Sequence, residues 1–201
     1  MKNKWILWLA CFPLFWCASC SDDEKGDEPQ PEEQPETVLL MGSETRKLAQ
    51  VLQAMEPERA LDRQGLAVTD SEFDEIKTFT DGLVAGKTGD AAYEEIFQWI
   101  TANVKFGTPE SNDPYDVFVE KVAVCQGYAN LLKTMCLTQG IPCVGVNGVM
   151  DPDTYYQQGH AWNYVRAGER WIVSDPTNGR DWDMEKDVNV YSNIVEPYFI
   201  D

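Results

Sequence analysis

Apolar residues in the first half of the chain recur at helical spacing. Leu48, Val51, Leu52 and Met55 fall at i, i+3, i+4 and i+7, with Ser43 placed to cap the segment and Pro57 to end it. Thr69 and Glu72 carry the signature of a capping box for a second helix, whose stripe is Phe73, Ile76, Phe79, Thr80 and Leu83. Asp90 is positioned to cap a third, in which Tyr93, Ile96, Phe97, Ile100 and Val104 form a wide apolar face. The pattern is irregular from Phe106 to Val124, where Pro109 and Pro114 break it. Cys125 then opens a helix with inward positions Tyr128, Leu131, Leu132 and Met135, closed by Gly140 ahead of Ile141-Pro142.

Beyond Pro142 the period changes from helical to alternating. Val144–Met150, His160–Val165 and Arg170–Asp175 are predicted strands, the last two joined as a hairpin through Arg166-Ala167-Gly168-Glu169. Helices first and an antiparallel sheet afterwards give the α+β class, and no internal repeat is present.

The N-terminus follows a different rule. Met1-Lys2-Asn3-Lys4 precedes an apolar stretch from Trp5 to Trp16, too short to span a bilayer as a mature helix, which reads as an export signal. Cys17-Ala18-Ser19-Cys20 resembles a lipobox, with Cys17 where leucine is usual three positions before Cys20. Residues 1–19 are thus expected to be a lipoprotein signal peptide and Cys20 the acylated anchor. The run Ser21-Asp22-Asp23-Glu24 resembles a surface-export signal of one Gram-negative phylum, which points to the outer face of the outer membrane. Residues 21–36 hold eight acidic residues and three prolines and no large apolar side chain, so residues 20–37 are expected to act as an extended tether. One domain, residues 38–201, follows.

Charge narrows the partners. Thirty-four Asp and Glu against sixteen Lys and Arg, a net charge of -18, leave no basic face for a phosphate backbone, so nucleic acid is excluded as a partner. Of six cysteines, Cys11 and Cys17 leave with the signal and Cys20 takes the lipid; Cys125, Cys136 and Cys143 remain, with neither a disulfide framework nor a zinc pattern among them. Cys136 and Cys143 sit in apolar surroundings and read as small buried hydrophobes, although an oxidising compartment would allow them to pair.

His160 is the only histidine. A hairpin closing evenly through Arg166–Glu169 opposes Tyr164 to Trp171, Trp162 to Val173 and His160 to Asp175, which brings a carboxylate within reach of the imidazole. A three-residue loop with Gly168 as a bulge would slip that register by one. At a helix N-terminus, Cys125 meets unpaired N–H groups and the positive end of the helix dipole, which favour a thiolate. Thiolate, base and orienting group are what acyl transfer needs, because the imidazole takes the thiol proton and returns one to the leaving amine. Taken singly, each residue has a plainer reading: a buried core cysteine, a satisfied strand histidine, and an Asp-Pro strand exit.

Val124-Cys125-Gln126-Gly127-Tyr128-Ala129, Gly159-His160-Ala161-Trp162-Asn163 and Asp175-Pro176-Thr177 resemble, in order, the three motifs of the bacterial transglutaminase-like superfamily. The segment Ile96–Phe106, with Trp99, Ile100 and Asn103, is similar to the helix that precedes the family's cysteine loop, so the resemblance covers roughly residues 90–178. It implies a papain-like core with the cysteine helix packed on the sheet, and Cys125 as nucleophile, His160 as base and Asp175 as orienter. Ala123 departs from the family, where glycine often precedes the Val-Cys pair.

The expected function is that of a transglutaminase-like cysteine peptidase, amidase or acyltransferase without a cofactor or metal. Its expected partners are peptide or protein substrates, cell-wall peptide included, and a membrane through the lipid anchor. The alternative is a non-catalytic surface module that binds peptide or glycan in the same cleft. Trp162 and Tyr164, on the His160 face, and Tyr128, near the cysteine, are candidate substrate-binding residues, with core packing as the competing reading. The acidic run Asp181, Asp183, Glu185 and Asp187 lacks the turn glycine and closing glutamate of a known calcium loop and reads as a solvated face.

Overall fold

The computed structural model describes residues 51–150, 158–183 and 191–197, all within the unit Pro35–Asp201. The signal peptide, Cys20, the tether, the expected domain start near Val38, and Ser43 as a helix cap lie outside the described residues, as do Glu185 and Asp187.

Residues 51–54 are helical, and Leu52 is fully buried. Pro57 does more than end this segment, for it sits at the first position of a 3-10 helix, Pro57–Leu61, where a missing N–H costs nothing. Helix α1 (Asp70–Val84) carries the expected capping box, with the Thr69 N–H donating to Glu72 and the Glu72 N–H to the Thr69 hydroxyl. Helix α2 (Asp90–Asn103) begins one residue before the expected start: Gly89, not Asp90, occupies the cap position, at φ +56°, and Asp90 is the first helical residue.

The stretch expected to be irregular contains structure. Strand β1 (Lys105–Phe106) pairs in parallel with β2 (Val122–Ala123), and helix α3 (Pro114–Glu120) lies between them. Pro114 is at the first turn of α3, so the residue read as a breaker is a helix starter.

Helix α4 (Cys125–Thr138) is the centre of the molecule and packs on α1, α2 and α3 as well as on the sheet. Tyr128, Leu131, Leu132 and Met135 are buried as the spacing predicts. Burial also extends to most other positions of the helix, including Lys133, whose ammonium donates to the Gln64 carbonyl at 2.9 Å and whose pKa desolvation holds down. Among the described residues no helix is long and apolar enough to cross a membrane.

Strands β3 (Cys143–Met150), β4 (Gln158–Ala167), β5 (Arg170–Asp175), β6 (Arg180–Asp183) and β7 (Tyr191–Pro197) form one antiparallel sheet in the order β6-β5-β4-β3-β7. The α+β class and the helix-on-sheet arrangement follow from this order. The face carrying Cys143, Val165, Ala167 and Ile172 joins the helical core with Ile76, Ile96, Ile100, Leu131 and Met135. The other face carries Val144, Val146, Trp162, Tyr164, Trp171 and Val173, which are also buried. Cys136 and Cys143 lie side by side in the core as thiols, and burial together with the neighbouring sulfur pushes the Cys136 thiol well up.

The β4–β5 register differs from the expected one by two residues. Ala167 faces Arg170, Val165 faces Ile172 and Asn163 faces Ser174, so only Gly168 and Glu169 form the connection. Gly168 has φ +61° and Glu169 has no positive φ, the pattern of a type II′ turn with glycine at its first central position. Tyr164 therefore faces Val173 rather than Trp171. His160 is not directly opposite Asp175. Because the side-chain period in a strand is two, the slip leaves His160 and Asp175 on one face as diagonal neighbours.

Candidate active site

Cys125 is the first residue of α4, with Val124 as the extended cap residue. The chain reaches that point from β2 and is pinned there: Gly107 N–H donates to the Ala123 carbonyl at 3.0 Å, and Asn112 Oδ1 accepts from Val124 N–H at 3.4 Å. Gly127 makes the approach possible, since a Cβ there would sit 2.8 Å from Ala123 Cβ and Asn112 Oδ1 and 2.9 Å from Val117 Cγ2. Ala123 itself is fully buried.

The Cys125 thiol is half-buried and hydrogen-bonded to His160. That bond holds its pKa below the ordinary thiol value against the opposing effect of burial, helped by N–H groups of Ala161 and Gln126 that reach the sulfur. The Gln126 donor is a first-turn N–H, a position that has no carbonyl partner within its own helix. The Ala161 donor has a separate origin. The β4–β5 ladder ends at Asn163–Ser174, and two positions further that register would set Pro176, which has no N–H, against Ala161. The ladder opens there, and the Ala161 N–H turns to the sulfur.

His160 is buried on β4, and its Nε2 lies 2.9 Å from Asp175 Oδ2. With Nε2 occupied by the carboxylate, Nδ1 is the ring nitrogen left to face Cys125. Burial by itself would lower the imidazole pKa, but the hydrogen bonds and negative charge of Asp175 and Cys125 more than offset it, and the value is pushed up to about 9. Trp162 stacks beside the ring, with centroids 6.0 Å apart and planes 19° apart.

Asp175 ends β5 and is fully buried. Its Oδ1 accepts from the N–H groups of Thr177 at 3.1 Å and Asn178 at 3.3 Å, and its Oδ2 accepts from Asn178 Nδ2 at 2.7 Å as well as from His160. The Pro176–Gly179 turn that supplies these donors is closed by Gly179 N–H to Pro176 carbonyl at 3.3 Å and leads into β6 through the pair Asp175–Arg180. Sequence reading did not single out Asn178. The Pro-Thr-Asn-Gly run was the available signal, since it marks a tight turn directly after a candidate carboxylate.

A cleft of about 300 Å³ opens at Cys125, lined by Gln126, Asn147, Gly148, Gly159, His160 and Ala161. The structure thus brings Cys125, His160 and Asp175 together and keeps three other candidates away from the opening. Trp162 and Tyr164 are fully buried on the sheet, and Tyr128 is buried with its hydroxyl donating to the Val104 carbonyl at 2.7 Å, so none of the three lines the cleft. Alternation along the strand placed Trp162 and Tyr164 on the His160 face correctly, but that face is covered. Among the described residues no three His, Cys, Asp or Glu side chains gather as metal ligands. Asp181 is exposed at its place on β6, with its pKa raised by partial burial and then by Glu94.

Residues 77–176 match the family model described as the Transglutaminase-like superfamily. The kyphoscoliosis peptidase of Mus musculus is 30% identical over 99 residues, which cover 42% of this chain and 15% of that protein. That of Homo sapiens is 29% identical over 99 residues, with the same shares covered. The chain therefore spans about 15% of the length of these curated relatives. Among solved structures, a candidate cysteine protease from Cytophaga hutchinsonii superimposes with a TM-score of 0.50 at 19% identity, over 62% of this chain and 42% of that one, which shows a shared fold.

Proposed function

The chain belongs to the transglutaminase-like superfamily, and we propose that it is a cysteine-dependent enzyme that hydrolyses amide bonds in peptides or proteins, cell-wall peptide included. Cys125 is the nucleophile, His160 the proton carrier and Asp175 the group that orients the ring. The observation that carries this reading is the unbroken hydrogen-bond chain from the Cys125 thiol through the imidazole to a buried carboxylate.

In this reading the thiolate attacks the carbonyl carbon of an amide in the cleft, forming a C–S bond as the π electrons move onto oxygen. Unpaired N–H groups at the start of α4 favour that developing charge. The imidazolium gives its proton to the departing nitrogen as the C–N bond breaks, which leaves a thioester and a free amine. A water then attacks the thioester, losing a proton to His160, and the C–S bond breaks to release the acid and restore the thiolate. Water is the proposed acceptor because Cys125 is only half-buried, so solvent reaches the thioester directly. The test is a peptide pool incubated in ¹⁸O-water with a fluorescent primary amine present. Products carrying ¹⁸O and absent with Cys125→Ser support hydrolysis, amine incorporation moves the acceptor to an amine, and no Cys125-dependent product defeats the enzyme reading.

We propose in addition, from the lipobox-like Cys17-Ala18-Ser19-Cys20 and the acidic run after it, that Cys20 is acylated and tethers the domain to the outer membrane, on its outer face. A fatty-acid label found on the wild-type chain and missing from Cys20→Ala supports the anchor. An unlabelled wild type contradicts it, and protease shaving of intact cells tests the outer face.

A further inference from the structure

We infer that Asn178 is a positioning residue for this site, holding the Asp175 carboxylate in the plane from which it orients His160; this rests on the reading of Cys125, His160 and Asp175 given above. The two oxygens of Asp175 are held differently. Oδ1 is fixed by two main-chain donors, Thr177 N–H at 3.1 Å and Asn178 N–H at 3.3 Å, which any residue in the same turn supplies. Oδ2, the oxygen that meets His160, also accepts from the side-chain amide of Asn178, at 2.7 Å. A carboxylate pinned at one oxygen still rocks about its Cβ–Cγ bond, and the second donor removes that freedom. The amide also supplies a hydrogen bond to a carboxylate that is fully buried, where each such bond offsets lost solvation.

The sheet continues past the Asp-Pro strand exit into β6. Asp175 and Arg180 close the Pro176–Gly179 turn as the first pair of the β5–β6 hairpin, so strand pairing fixes both ends of the turn. Asn178 sits in that turn and reaches back three residues to the carboxylate. This is the arrangement expected of a residue that tunes a metal-free base through its orienter, in the way that outer partners fix ligand histidines elsewhere. Asn178 is not among the residues that line the cleft, and its side-chain amide meets the site at Asp175.

The test uses the full-length chain and two variants. Asn178→Ala deletes the donor; Asn178→Asp keeps the size and the turn preference but offers a donor only when the new carboxyl pair shares a proton. Because His160 is the only histidine, its ring resonances give one unobscured titration. Asn178→Ala is expected to lower the His160 midpoint by about one unit and to slow Cys125 alkylation at pH 6 roughly tenfold, with little change at pH 10. Asn178→Asp is expected to match the wild type at acidic pH and to fall away as the pair deprotonates. An Asn178→Ala protein with an unchanged His160 midpoint and alkylation profile overturns the inference. So does an Asn178→Asp protein that matches the wild type at every pH, because Asn178 would then be a turn residue only. Neither readout needs a substrate, so failure to find amide turnover would count against the enzyme reading and leave this one standing.

Discussion

Asp175 Oδ2 stands 2.9 Å from His160 Nε2 even though the ladder register sets His160 two residues away from the position facing Asp175. The contact is diagonal, and it is held from the far side by the Pro176–Gly179 turn rather than by strand pairing. It follows that the charge of Asp175 and the geometry of its turn can be separated by substitution.

Asp175→Asn keeps the shape and the acceptor that Thr177 and Asn178 N–H groups use, but turns an amide donor, or a neutral oxygen, toward His160. The expected outcome is a fall of roughly 10³–10⁴-fold in kcat on an amide substrate and a His160 midpoint moved from about 9 toward the ordinary value near 6.5. NMR titration of the single histidine checks the second part without any substrate.

Stability should depend on pH with two opposing contributions. The folded pKa of His160 is raised, to about 9, so its stabilisation is fully present below the unfolded value near 6.5 and is lost as pH rises through 9. The Cys125 pKa is lowered, so its stabilisation is present above the unfolded thiol value and is lost as pH falls. Urea unfolding of the wild type should therefore vary weakly between about pH 6.5 and 9. Cys125→Ser, with only the histidine contribution left, should lose stability steadily as pH rises. A wild type and a Cys125→Ser protein with parallel profiles would contradict the coupling.

Gly127→Ala should destabilise the fold although alanine is the better helix former. The added methyl meets three atoms at 2.8–2.9 Å, an overpacking worth about 1–3 kcal/mol against a propensity gain of about 1 kcal/mol. Urea midpoints measure the net loss, and slower Cys125 alkylation would show that the start of α4 has shifted.

Trp162→Phe should lower stability by about 1–2 kcal/mol, a partial version of the full aromatic truncation cost, and leave KM unchanged, because Trp162 is fully buried and absent from the cleft lining. A raised KM with no loss of stability would return Trp162 to the substrate wall.

Much of this arrangement was legible in the sequence, for identifiable reasons. The 3.6-residue period marked α1, α2 and the inward face of α4, and the capping box at Thr69 and Glu72 fixed where α1 begins. The alternation of Arg170–Asp175 gave β5 its observed bounds. The hairpin register was missed by two because nothing in the alternation says whether Gly168 sits inside a four-residue loop or opens a two-residue turn; since faces repeat every two residues, His160 and Asp175 still meet. Helix α3 is hidden in the sequence because a proline such as Pro114 breaks a helix interior but fits a first turn, and the short apolar pattern does not tell the two apart. Strands β6 and β7 were not foreseen, and with β6 went Asn178, whose partner is set by a turn and not by periodicity. Trp162, Tyr164 and Tyr128 were offered to substrate because a pattern gives the face of a strand or helix, while burial depends on what packs over it.

The central claim, a thiolate at Cys125 sustained by His160, is tested most directly by the pH dependence of iodoacetamide alkylation at Cys125, read by peptide mass spectrometry for the wild type and His160→Ala. The wild type should label rapidly well below pH ~8.5, the ordinary thiol value, and His160→Ala should lose that acid-side reactivity. Labelling of wild-type Cys125 no faster than an ordinary thiol, or a His160→Ala profile identical to the wild type, would contradict the account.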